Sequence, residues 1–154
     1  MTIVAAVDRL PDARPILEEA DRLAHAFGSP LHVLHVHGQY ESTEQIRHEA
    51  ARQSGKPIDV EQGAEVAVER ARELAAPIVE RFTPVGRTGF PAREIVHYAT
   101  DVDATFVVVG GRKRSPVGKV LFGSVTQSVL LGADRPVVTV RLPEGESEDT
   151  NSAG

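Results

Sequence analysis

Short apolar runs alternate with amphipathic stretches along this chain, and that alternation restricts its fold more than any other feature. The run Thr2–Val7 is typical of a strand buried on both faces. A helix follows, with apolar residues at spacings of three and four, Asp12 placed to cap its start and Gly28 placed to end it. Because Leu31–Val36 is a second strand, the segment predicts a βαβ unit with parallel strands and a right-handed crossover.

The alternation continues along the rest of the chain. It predicts three more helices: one over about residues 59–81, one from Pro91 onward, and one from near Ser124. Pro77 is expected to end or kink the first of these. Three more strands are predicted, at Phe82–Arg87, Thr105–Val109 and Pro136–Val140. Five strands alternating with four helices indicate an α/β fold with a parallel sheet covered on both faces. In such a sheet ligands bind beyond the carboxyl ends of the strands, where the strand order reverses.

Composition favours one domain and excludes thiol chemistry. The chain has 154 residues, an ordinary domain size, and no cysteine, so disulfides and cysteine nucleophiles are ruled out. A polar stretch over about residues 37–58 is expected to be a mobile excursion. We predict one domain over residues 1–142, followed by an acidic disordered tail over residues 143–154.

The net charge of −5 is concentrated in that tail, which leaves the body nearly neutral. General attraction to nucleic acid or to an anionic membrane is therefore not indicated. No apolar run reaches the ~18–20 residues that a membrane helix needs. The start of the chain lacks the basic region of a signal peptide, so we expect a cytoplasmic protein.

A cationic loop lies between the strand Thr105–Val109 and the next helix. It contains no acidic residue and four basic ones, which are Arg112, Lys113, Arg114 and Lys119. Gly110 and Gly111 are expected to turn the backbone out of the sheet before the loop. After it, Gly123–Ser124 opens a helix whose free N–H groups attract anions. These features describe a phosphate cradle; the alternative is that the glycines only permit a turn and Ser124 only caps its helix.

Two well-known phosphate motifs do not account for this loop. Val120 follows Gly118–Lys119 where a Walker loop requires serine or threonine, and no dinucleotide glycine fingerprint follows the first strand.

In the helix that begins near Ser124, the residues expected to face inward are Val125, Val129 and Leu130.

The order of these motifs resembles the universal stress protein family. The resemblance lies in the glycines around the cationic loop and in the pattern S-V-x-Q-x-V-L-x-x-A-x-x-P-V-V-x-V, which begins at Ser124. Val4–Asp8, Leu31–Val36 and Gly89–Ile95 are similar to the other landmarks of the family. The resemblance covers about residues 2–141. It implies a three-layer αβα sandwich with sheet order 3-2-1-4-5, a Rossmann-like fold of the adenine nucleotide alpha-hydrolase type.

Many members of that family bind ATP between strands one and four, with magnesium held only through the phosphates. The resemblance places Asp8 at the ribose and adenine, and the backbone of Val36 at the adenine edge. It places Gly110 and Arg112 along the sugar and phosphates, and the helix start at the phosphates. The nucleotide-binding residues predicted in this way are Ala6, Val7, Asp8, Val36, Val109, Gly110, Arg112, Lys113, Gly123, Ser124 and Val125.

The function expected from the resemblance is that of a regulatory protein in which ATP occupancy sets the conformation of a dimer. Lys113 stands where the ATP-binding pattern has its second glycine, which favours an alternative: a member that binds no ATP and serves as a dimeric interaction module. An alternative of another class is a slow ATPase or phosphotransferase. No evident residue orients an attacking water, so we expect no catalytic residues and at most weak ATP hydrolysis.

Two further expectations concern the strands themselves. The apolar strand Pro136–Val140 is expected at a sheet edge, where pairing with a second copy would form a homodimer. His35 and His37 share a face of the second strand. No third ligand joins them at a recognisable spacing, so we predict hydrogen-bonded histidines and no metal site.

The departure at Lys113 generates a testable prediction. Lys113→Gly is expected to tighten triphosphate binding about tenfold, because glycine allows a close backbone approach that lysine prevents. The ammonium group contributes less, since an exposed charge is screened within ~8 Å at physiological salt. Titration calorimetry of both proteins with Mg-ATP measures the change. Weaker binding by the glycine variant would make Lys113 a phosphate ligand.

Overall fold

A parallel sheet of five strands forms the centre of the fold in the computed structural model, which describes residues 1–38, 60–113 and 120–142. Ten elements follow one another along these residues. They are β1 (Thr2–Ala6), α1 (Ala13–Phe27), β2 (Leu31–Gly38), α2 (Val60–Ala75), β3 (Thr83–Gly89), α3 (Pro91–Asp101), β4 (Ala104–Lys113), β5 (Val120–Leu121), α4 (Ser124–Gly132) and β6 (Val137–Leu142). In this part of the chain no helix is long and apolar enough to cross a membrane. The predicted excursion and acidic tail lie outside the described residues, apart from the end of β2.

The strand order is β3-β2-β1-β4-β6, with every neighbouring pair parallel. The predicted order 3-2-1-4-5 is confirmed, since β6 is the fifth parallel strand. The short β5 is an addition that pairs antiparallel with the end of β4. Arg112 pairs with Leu142 of β6 and with Leu121 of β5. Because a strand residue has one neighbour on each side, β5 lies on the β1 side of β4, beyond the end of β1.

Helices cover both faces of the sheet and make two separate cores. Alternate residues of a strand point to opposite faces. Ile3 and Val33 therefore pack with α1 and α2, in a cluster that includes Leu17 and Leu74. Their neighbours Val4 and Leu34 pack on the other face with the buried residues of α3 and α4. The predicted three-layer sandwich is confirmed.

The ends of α1 show one prediction confirmed and one wrong. Gly28 ends the helix in the left-handed conformation, with φ of 58°, as predicted. Asp12 precedes the helix as predicted, but its side chain makes no capping hydrogen bond. The reason is that the backbone already turns before the helix: the N–H of Ala13 donates to the carbonyl oxygen of Arg9 at 3.0 Å.

The prediction that Gly110 and Gly111 turn the chain out of the sheet is wrong. Both lie within β4, which continues to Lys113, and the glycines with positive φ in the described residues are Gly28 and Gly89. Packing explains the glycine at 110 instead. A Cβ there would lie 2.7 Å from the Leu142 Cδ1 and 3.0 Å from the Ile16 Cδ1, so the two neighbouring side chains take the space that a larger residue would need.

The predicted inward face of α4 is only partly correct. Val129 is fully buried, but Val125 and Leu130 are 39% and 38% exposed. Thr126 takes the inward position one turn before Val129, because its hydroxyl donates to the carbonyl oxygen of Gly110 at 2.8 Å. This hydrogen bond fixes the rotation of α4 against the end of β4.

The contact between α2 and β3 generates a stability prediction. A Cβ at Gly86 would lie 2.3 Å from the Ala64 carbonyl oxygen and 2.3 Å from the Val68 backbone nitrogen. Gly86→Ala must push helix backbone away from the sheet, and we expect it to lower the free energy of unfolding by about 3 kcal/mol. Urea denaturation measures the change.

Gly132→Ala is the matched control for that substitution. A Cβ at Gly132 would meet the Val96 Cγ2 at 3.8 Å, an ordinary contact, so its unfolding free energy should stay within about 1 kcal/mol of the parent value. Equal denaturation midpoints for the two variants would contradict the close packing of α2 on β3.

Candidate functional site

A cavity of about 570 Å³ opens at the carboxyl edge of the sheet. It lies where the strand order reverses, because the chain runs outward from β1 to β3 on one side and from β4 to β6 on the other. The cavity is bordered by the ends of β1, β2 and β4 and by the beginnings of α1, α3 and α4. Three helices thus direct their N-terminal, electropositive ends toward one space.

The structure brings together nine of the eleven residues predicted as nucleotide-binding. The nine that line the cavity are Ala6, Val7, Asp8, Val36, Val109, Gly110, Gly123, Ser124 and Val125. The other two, Arg112 and Lys113, belong to the end of β4 through their backbones, and their side chains lie outside the described part of the structure. Residues from four separate segments of the sequence therefore meet at one place.

One end of the cavity is formed by the first turn of α4. Gly123 occupies the N-cap position, and Ser124 is the first helical residue without a side-chain capping bond. The alternative interpretation of Ser124 as a helix cap is therefore wrong. The N–H groups of the first turn have no carbonyl partner within a helix and are available to an acceptor. The backbone of Gly123 has φ of −63°, which any residue adopts, and a Cβ there would meet no atom within 4 Å.

The other end of the cavity is apolar. It is lined by Leu34 and Val36 of β2 and by Ile95 of α3, with Phe90 and Pro91 at the beginning of that helix. The sequence analysis does not predict Phe90 as a site residue, because it interprets this segment as a helix start and as a landmark of the family. The missed signal is its position directly after a strand that ends at the same edge of the sheet.

Val7 is held by both of its backbone groups at the floor of the cavity. Its N–H donates to the Leu34 carbonyl oxygen at 2.9 Å, and its carbonyl oxygen lies 2.9 Å from Nδ1 of His35. Val7 follows the last residue of β1, so these two bonds continue the attachment of β1 to β2 beyond the strand. Asp8 comes next and is exposed to the cavity.

His35 is buried behind this floor, on the face of the sheet that α2 covers. Burial lowers the pKa of His35, while the hydrogen bond to Val7 and the charge of Asp8 oppose this, and the charge of Arg70 adds to it. The ring of His37 lies 5.1 Å away in an edge-to-face arrangement, which confirms that the two histidines share a face. Within the described residues no three histidine or carboxylate side chains are grouped to hold a metal.

The comparisons with known proteins agree with this architecture. The universal stress protein family matches residues 1–141, so the chain belongs to that family. A universal stress protein of Mycolicibacterium smegmatis is 51% identical over 43 residues, which are 28% of this chain and 32% of that protein. The chain thus matches about a third of the length of this curated relative.

Solved structures of the family match almost the whole chain. A universal stress protein from Archaeoglobus fulgidus is 29% identical, with a TM-score of 0.62 over 91% of this chain and 98% of the other. The structure of the universal stress protein from Archaeoglobus fulgidus in complex with dAMP is 24% identical, with a TM-score of 0.57 over 91% and 97% of the two chains.

The burial of His35 generates a prediction about pH. The pKa of His35 is below its ordinary value of about 6.5 in the folded protein, so the unfolded chain binds more protons near that pH. The free energy of unfolding should therefore fall as the pH decreases from about 7.5 through 6.5. His35→Asn, which retains a nitrogen donor toward Val7, should reduce this slope, as measured by urea denaturation at several pH values.

His97→Asn provides the control, because His97 is exposed. It should retain the slope of the parent protein between about pH 7.5 and 5.5. A His35→Asn slope equal to that of the parent would show that His35 titrates alike in the folded and unfolded states.

Proposed function

We propose that this protein binds an adenine nucleotide, ATP with magnesium, in the cavity and acts as a regulatory protein of the stress response. Nucleotide occupancy would set the conformation of a dimer and its contacts. The observation that carries this proposal is the meeting of nine predicted nucleotide-binding residues at the reversal point of the sheet, around one cavity. A cavity of about 570 Å³ is within the ~300–1,000 Å³ of small-molecule sites.

The division of the cavity suits a nucleotide. Its side formed by β2 and α3 is apolar and matches a base, and its side at α4, which also carries Phe122 and Val125, offers the N–H groups of the first helical turn to phosphates. Gly123 supports this assignment. Its backbone angle does not require glycine, and no protein atom occupies the space beside it, so a close approach of ligand to the backbone explains the missing side chain.

The likeness to a relative supports an adenine nucleotide in particular. The Archaeoglobus fulgidus protein that shares this fold was solved in complex with dAMP. In this chain, Asp8 presents an exposed carboxylate to the cavity. A carboxylate accepts hydrogen bonds from hydroxyl groups, so Asp8 fits the ribose, and magnesium would be held through the phosphates.

We propose binding and not catalysis as the role of this site. The side chains that line the cavity in the described part of the chain include no histidine, glutamate or glutamine, and its carboxylates there are Asp8 and Asp12. Asp8 is assigned to the ribose, so the positioning of an attacking water would have to fall to Asp12. Any ATP hydrolysis would then be slow, as expected for a protein whose signal depends on retaining its nucleotide.

The proposal predicts a thermal shift and a matched pair of variants. Mg-ATP at ~100 times its dissociation constant should add about 2.7 kcal/mol of stability and raise Tm. Gly123→Ala should weaken Mg-ATP binding at least tenfold, because the methyl group occupies space beside the phosphates. Gly132→Ala, at the other end of the same helix, should bind like the parent. Titration calorimetry measures all three dissociation constants.

Two results would contradict the proposal. Absence of both heat and a Tm shift with millimolar Mg-ATP would favour the second candidate, an interaction module that binds no nucleotide. Equal affinities of Gly123→Ala and Gly132→Ala would remove the phosphates from the start of α4.

We also propose that the protein forms a homodimer through β6. This strand pairs with β4 on one side, and the described residues place no strand on its other side. The N–H of Val107 donates to the Pro136 carbonyl oxygen, so Val138 and Val140 direct their backbone groups toward β4. The intervening residues, among them Thr139, direct theirs outward, where a second copy could pair antiparallel.

The side-chain packing of β6 determines which variant tests the dimer. Val138 and Val140 pack against the core on the α1 face, so changing them would damage the fold. Thr139 is exposed, and Thr139→Pro removes an outward N–H while leaving the bonds to β4 in place. We expect this variant to be monomeric and folded, and the control Thr139→Val to remain dimeric, by light scattering and circular dichroism. A monomeric parent protein at tens of micromolar would contradict the dimer.

A further inference from the structure

Phe90 is a half-exposed aromatic residue that borders the cavity and has no role in the phosphate end of the site. Its exposed fraction is 46%, large for a phenylalanine next to the apolar residues of α3. Exposed apolar surface that lines a cavity is typical of a ligand contact. The question is therefore what chemical group this side chain meets.

The backbone holds Phe90 in one position. Gly89 before it has φ of 143°, which residues with a side chain rarely adopt, and Pro91 after it restricts the backbone of Phe90 to extended angles. The carbonyl oxygen of Phe90 accepts the first hydrogen bond of α3, from the N–H of Glu94 at 3.0 Å. The side chain is thus presented from a rigid junction of strand and helix.

The ring of Phe90 also contacts a charged side chain. The guanidinium carbon of Arg93 lies 5.4 Å from the ring centroid, a cation–π contact. Arg93 does not line the cavity, whereas Phe90 does. Phe90 therefore contacts a cation that is not part of the cavity lining while it borders the cavity itself, where a flat group could contact its ring.

The position of Phe90 is at the end of the cavity assigned to the base. A Cβ built on Gly38 would be 3.9 Å from Pro91 Cγ, so the end of β2 and the beginning of α3 are adjacent. Val36 lies on that strand, two residues before Gly38, and lines the same apolar end. The phosphate end, at Gly123, is formed by a different helix.

We propose that Phe90 stacks on the nucleobase and thereby makes the cavity selective for ligands that carry a planar aromatic base. This inference rests on the proposed nucleotide function and deepens it. Stacking of a base on an aromatic side chain contributes enough free energy to change affinity by about tenfold or more. The apolar residues of β2 and α3 provide area, and Phe90 adds the flat surface that distinguishes a base from other apolar groups.

The absence of tryptophan from the chain allows a direct test. Phe90→Trp retains a flat ring and becomes a single fluorescent reporter at the cavity. Phe27→Trp is the matched control, because Phe27 is also about half exposed, at 52%, and packs edge-to-face on Phe106. Phe27 is the last residue of α1, whereas Asp12, just before the first residue of that helix, borders the cavity. Mg-ATP should quench the tryptophan at position 90 and leave the one at position 27 unchanged, and inorganic triphosphate with magnesium should quench neither.

A second pair of variants measures the contribution to affinity. Phe90→Leu keeps the apolar character but removes the ring, so it should weaken Mg-ATP binding about tenfold, whereas Phe27→Leu should bind like the parent. Suppose that the parent protein binds Mg-ATP. If Mg-ATP then fails to quench the fluorescence of Phe90→Trp, or if Phe90→Leu binds with the affinity of the parent, the stacking is overturned and the nucleotide site stands. Absence of Mg-ATP binding by the parent protein would overturn the nucleotide site and the stacking with it.

Discussion

The parallel pairing of β1 with β4 is the constraint on which the rest of this structure depends. Val4 and Val107 are register partners although about 100 residues separate them in sequence. Both are fully buried, so sliding either strand by one residue would turn its apolar side chains to the wrong face. The pairing divides the chain into a half that builds outward through β2 and β3 and a half that builds outward through β6. The cavity lies between β1 and β4, at the carboxyl edge of the sheet, because the two halves of the chain continue from there in opposite directions.

Glycines in this protein have three different structural roles, which the sequence alone does not distinguish. Gly86 lets a helix backbone touch the sheet, and Gly110 makes room for two side chains at the end of β4. Gly123 faces unoccupied space in an ordinary conformation. The first two are explained by the packing of the folded chain. The third is explained by what the chain is proposed to bind.

The sequence predicted the strand order and most of the site because both follow from patterns that repeat along the chain. Apolar runs such as Thr105–Val109 reveal buried strands, and Gly28 reveals a helix end, through local chemistry that needs no tertiary information. The rotation of α4 could not be predicted, because it depends on a hydrogen bond between Thr126 and a distant carbonyl group. The position of Phe90 after β3 could have been noticed in the sequence, but its exposure could not, because that depends on how α3 meets β2.

The two hydrogen bonds that hold Val7 have a consequence for the thermodynamics of recognition. A residue just past the end of a strand is ordinarily free to sample several conformations, and a ligand that contacts it must restrict them. Here β2 restrains both backbone groups of Val7 through Leu34 and His35 before any ligand arrives. The conformational entropy of Val7 is lost during folding, not during binding, so a ligand's contacts there need not offset that part of the cost of association.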